Sequence, residues 1–99
     1  MKAKIFNQYV DEVCDTFELS NDELFQKTKE KRIVDARQML FYLCCKRNMT
    51  VKSIEVYMEK KGLPTSHSTI VHHYKEMALK VDNDQDIENI ANRIESCVQ

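Results

Sequence analysis

The residues of this chain that could do chemistry are three histidines, a run of hydroxyls and a block of cations. The hydroxyls and one histidine fall together as Thr65-Ser66-His67-Ser68-Thr69, directly after Gly62 and Pro64. Such a stretch starts a helix, because Thr65 or Ser66 can accept an orphan backbone N–H as the N-cap. The helix then carries Ile70, Tyr74, Met77 and Val81 on one face, with His67, Ser68 and His72 on another. A small, polar, uncharged first turn can approach the edge of a base pair closely, as the second helix of a helix-turn-helix does. The residues before it fit that unit. Thr50 is a candidate cap, and Val51, Ile54, Tyr57 and Met58 share one helical face. Gly62 stands where a left-handed C′ residue is wanted, and Pro64 forbids continuation.

Other chemistries fit less well. His67, His72 and His73 lack a Cys or carboxylate at ligand spacing and do not form the i, i+4 pair of a zinc protease, so no metal and no cofactor is expected. No Cys–His pairing for nucleophilic catalysis is suggested, and no enzyme activity is expected. Cys14, Cys44, Cys45 and Cys97 form no C-x-x-C motif; helical placement puts Cys14, Cys44 and Cys97 on or near apolar faces, and buried free thiols in a reducing cytoplasm are the expectation. The first residues hold no apolar run of a signal peptide, and no stretch approaches the length of a membrane span.

The net charge of −1 hides an uneven distribution. Residues 1–26 carry −4, residues 27–61 carry +6, and residues 62–99 carry −3. A basic block between acidic flanks is the pattern that matters for phosphate contact.

The positioning elements read as helices throughout. With one Gly, one Pro and no alternating run, the 99 residues predict an all-α fold of five to six helices in a single domain, 1–99. The first helix spans about Lys2 to Phe17. Ser20 with Glu23 forms a capping box for a short second one, with Leu24 and Phe25 inward. Lys27 to Arg32 reads as a basic loop. The next helix, from Glu30 or Lys31 to Arg47, is apolar nearly all round and so central, with Arg37 and Gln38 expected on a thin solvent stripe. After the two-helix unit, Asp82-Asn83-Asp84 signals a turn, and Ile87, Ile90, Ala91 and Ile94 a last helix to about Cys97.

Val13-Cys14, Ser20 to Leu24, Lys27 to Arg32, Ala36-Arg37-Gln38-Met39 and Ser66-His67-Ser68-Thr69-Ile70, in that order, resemble the C-terminal DNA-binding domain of the bacterial replication initiator DnaA. The resemblance covers roughly Ile5 to Lys80. It implies a helical module that binds short boxes of double-stranded DNA. On that basis Ser66, His67, Ser68 and Thr69 are the base-reading set, with Ser66 where the family has Asp. Lys29 stands at the position of a minor-groove Arg, with Lys31 and Arg32 beside it. Gln38 and His72 are implied phosphate contacts, joined by Arg37, Lys46 and Lys52 from the basic block. Ser for Asp removes an acceptor suited to cytosine, and Lys for Arg weakens a narrow-groove contact. No Gly-x-x-x-x-Gly-Lys-Ser/Thr loop is present, so ATP hydrolysis is not expected. The expected role is a cytoplasmic, sequence-preferring DNA-binding regulator or replication accessory, as a phage or mobile element would carry. The alternative is an interaction module of the same fold that binds a replication or transcription protein and no longer binds DNA.

Overall fold

The computed structural model describes residues 2–98, and they form six helices with no strand among them. These are α1 (Lys2–Phe17), α2 (Asn21–Leu24), α3 (Lys31–Lys46), α4 (Val51–Lys60), α5 (His67–Asn83) and α6 (Gln85–Cys97). Among the described residues, no helix is long and apolar enough to cross a membrane.

Local chemistry sets the helix ends. Ser20 and Glu23 complete the capping box, Thr50 Oγ1 accepts from Ser53 N, and Asp84 Oδ1 accepts from the N–H groups of Asp86 and Ile87. Three helices close the same way. Glu18, Asn48 and Gly62 take positive φ, and the next residue's N–H reaches back to Cys14, Cys44 and Met58 respectively at 2.9–3.1 Å. Each of those next residues is apolar (Leu19, Met49, Leu63) and packs on the core. Of the three left-handed positions, only Gly62 was predicted.

α3 is the centre of the packing. Ile33, Ala36 and every residue from Met39 to Cys44 are buried, against α1, α5 and α6. α5 lies across it, anchored by Ile70, Met77 and Val81, with the Tyr74 ring stacked on Tyr42 at 5.9 Å between centroids. α6 covers the remaining side through Ala91 and Ile94. Cys14 and Cys44 are buried as expected, and burial, then the neighbouring carboxylates of Asp11, Asp15 and Glu23, push the Cys14 thiol up to about 11. Cys97 corrects the expectation, since its thiol is exposed at the end of α6.

The expected solvent stripe on α3 does not exist. Arg37 is 9% exposed and Gln38 7%. A buried polar group needs partners, and both have them. Gln38 Oε1 accepts from Lys80 Nζ at 2.8 Å, a tie between α3 and α5. Arg37 turns its guanidinium onto the basic loop. Nε donates to the Leu24 carbonyl at 2.7 Å, Nη1 to Thr28 O at 3.4 Å, and Nη2 to Gln26 O. The loop adds its own turn, Glu30 N to Thr28 Oγ1 at 3.2 Å. Lys29 therefore sits at the tip of a loop held on both sides. Burial pulls the Arg37 pKa down, yet a guanidinium stays charged, so the carbonyls are what make its position tenable.

Arg37→Ala should cost about 2–4 kcal/mol by leaving carbonyls without partners. Arg37→Lys should recover little, because an ammonium cannot span them as a planar fork does. Denaturant unfolding, with hydrogen exchange at Gln26 to Glu30, measures both; an Arg37→Lys protein as stable and as protected as the native one contradicts this account.

Candidate nucleic-acid interface

The first turn of α5 is built by its own hydroxyls. Ser66 is the N-cap: its Oγ accepts from Thr69 N at 3.3 Å and donates to Thr69 Oγ1 at 2.8 Å. This pair fixes the turn, and Ser66, His67, Ser68 and Thr69 are all exposed on it. Ser66 is thus more engaged in starting the helix than His67 and Ser68, which stand outward. The turn from α4 presents the helix at a set angle. Gly62 has φ +86°, its N–H bonds to Glu59 O at 3.0 Å, and Thr65 Oγ1 donates to Leu63 O at 2.9 Å.

At the foot of the first turn lies an open recess of about 350 Å³, walled by Arg37, Phe41, Leu63 to Ser66, Thr69 and His73. Arg37 belongs to both structures, since it lines this recess and holds the basic loop. The exposed first turn of α5 and the basic loop are therefore joined through Arg37. His73 has its ring 5.8 Å from Phe41, and burial, then the charges of His72 and Arg37, hold its pKa below the usual histidine value. Its Nδ1 is buried without a partner, so it belongs to the wall and not to the exposed set.

The remaining predicted residues divide. His72 is exposed one turn along α5, and Lys52 shares a recess with Pro64 and Thr65, so both flank the first turn. Lys29 and Arg32 are exposed at the loop and the start of α3. Lys31 is exposed as well, its Nζ 3.2 Å from Asp35, the carboxylate that Lys80 also holds. Lys46 stands apart from the group. It is nine residues from Arg37, half a turn round α3, where it pairs with Glu95 at 3.1 Å and lies over the Tyr42 ring at 5.5 Å. Gln38 and Arg37, as described, serve the core and the loop.

Two lysines beside the loop were not singled out from the sequence. Lys61 Nζ lies 5.8 Å from the ring centroid of Phe25, the residue that leads into the loop, and Lys60 precedes it on α4. Their signal was present, a Lys pair directly before the left-handed Gly62, but it reads equally well as a favourable helix end.

The geometry is that of a helix-turn-helix, α4 and α5, with a basic loop beside it. No curated protein and no solved structure matches the chain. Compared with known protein families, residues 7–77 match the one described as the bacterial DnaA protein helix-turn-helix. The match runs from the first turns of α1 to the middle of α5 and takes in both the loop and the α4–α5 unit. With well over half of its residues in that match, the chain belongs to the bacterial DnaA helix-turn-helix family.

Proposed function

We propose that this chain binds double-stranded DNA with a preference for sequence, through the first turn of α5 in the major groove and Lys29 in the adjacent minor groove. The observation that carries this reading is the exposed, uncharged first turn joined through Arg37 to the basic loop. His67 and Ser68 are the principal base readers; Thr69 and Ser66 shape the turn and add hydroxyls at its edge. Lys52, His72 and Arg32 meet phosphates on either side. Base contacts specify and phosphate contacts position, so these two sets carry different parts of the binding energy. The role is that of a DNA-binding regulator or replication accessory, without catalysis of its own.

A selection of bound sequences from a random duplex pool gives the preferred site. On that site, His67→Ala should cost about 1–3 kcal/mol and on random duplex almost nothing. Equal losses on both would remove α5 from the reading. His67 makes a cleaner test than Thr69, whose hydroxyl also accepts from Ser66.

Lys29→Ala should weaken binding to specific and random duplex alike. It should also make the slope of log K against log salt shallower by about 0.9. An unchanged slope would leave the loop a mere connection.

A further inference from the structure

Lys60 and Lys61 line a recess of about 220 Å³ with Ala3, Phe6, Asn7 and Tyr57, between the last turn of α4 and the first turn of α1. Its floor is aromatic, Phe6 and Tyr57 lying 5.1 Å apart between ring centroids. Lys2 and Lys4 flank Ala3 in that first turn and are exposed, as are Lys60 and Lys61. Lys61 in turn lies over Phe25, which opens the loop bearing Lys27 and Lys29. Lys60 and Lys61 thus stand on the α4 side of the recess, Lys2 and Lys4 flank its α1 side, and Lys61 joins it to the residue that opens the loop. Among the described residues, the ion pairs of the chain involve Lys31, Lys46 and Lys80, and none of the four around the recess.

Helix electrostatics account for half of this arrangement. Lys60 and Lys61 sit at the C-terminus of α4, where a cation is favoured. Lys2 and Lys4 sit at the N-terminus of α1, where it is disfavoured, and that first turn holds no acid to offset them. An anion from outside satisfies both pairs. The floor narrows its chemistry. Phe6 is 1% exposed, so its face is not free to stack on an unpaired base. Tyr57 is half-buried and leaves only part of a ring open, so four exposed lysines around a mostly covered floor suit the phosphate backbone of a duplex.

We propose that Lys60, Lys61, Lys2 and Lys4 form a second phosphate track, which extends contact with the DNA past the minor groove entered by Lys29. The proposal rests on the duplex-binding reading given above and adds a length and a side to it. The protected stretch reaches further on the loop's flank of the site than on the other.

The test compares a duplex that just contains the selected site with duplexes lengthened by about one helical turn at one end or the other. Native protein should bind more tightly when the loop-side end is lengthened. Lys60→Ala/Lys61→Ala should lose about tenfold on that duplex at low salt, with a salt slope shallower by about 0.9 for each contact removed. It should lose little on the short one. Lys2→Ala/Lys4→Ala, remote from the α4–α5 turn, should repeat the pattern, and Lys60→Arg/Lys61→Arg should restore it. Equal affinity of variants and native protein on the long duplex overturns the track, and so does an equal loss on long and short. Native protein that binds no duplex of any length overturns the underlying reading instead.

Discussion

Burying α3 on every side is the constraint from which the rest of the molecule follows. An apolar helix in that position is simple to satisfy, but α3 carries Arg37 and Gln38 into the interior with it. Each polar group left without a partner there costs about 1–3 kcal/mol, and more when charged. The neighbours are arranged accordingly. Arg37 draws the carbonyls of Leu24, Gln26 and Thr28 inward, and Gln38 takes the Lys80 ammonium from α5. The loop that presents Lys29 and the helix that presents His67 are thus both tied to the polar needs of the core. The candidate interface and the core thus share the hydrogen bonds of Arg37 and Gln38.

Much of this was legible in the sequence, and the part that was not has a physical reason. The helices, their apolar faces and the caps at Ser20, Thr50, Ser66 and Asp84 are local properties, set by residues within one turn of each other. The exposed first turn of α5 and the burial of Ile70 and Met77 behind it followed from the same periodicity. Arg37 and Gln38 were expected on a solvent stripe and are buried, and the ion pair of Lys46 was not foreseen, because the partners of all three are distant in the chain. Leu24 is 13 residues from Arg37, Lys80 is 42 from Gln38, and Glu95 is 49 from Lys46. A helical wheel cannot distinguish a polar stripe facing water from one facing another element's carbonyls. The left-handed ends at Glu18 and Asn48 were hidden for a different reason: residue type announces that conformation reliably only for glycine.

One of the two acidic flanks is kept away from the first turn of α5 by the length of that helix. Asp82, Asp84 and Asp86 lie where α5 ends and α6 begins. The 17 residues of α5 put about 25 Å between them and the first turn. At physiological salt the screening length is about 8 Å, so these carboxylates are electrostatically remote from the first turn of α5. The same separation gives the molecule a polarity that favours approach loop-first.

Asp84 itself does double duty, as the residue after α5 and the N-cap of α6. A single residue offers only two soft dihedrals, and its carboxylate is already committed to the N–H groups of Asp86 and Ile87. α5 and α6 therefore meet at a one-residue elbow. The salt bridge from Lys46 to Glu95 and the bond from Arg93 to Thr16 fasten the far arm of that elbow to α3 and α1. With those two ties, α6 is joined to three other helices at once, so the C-terminal helix braces the joint between α5 and the core from outside.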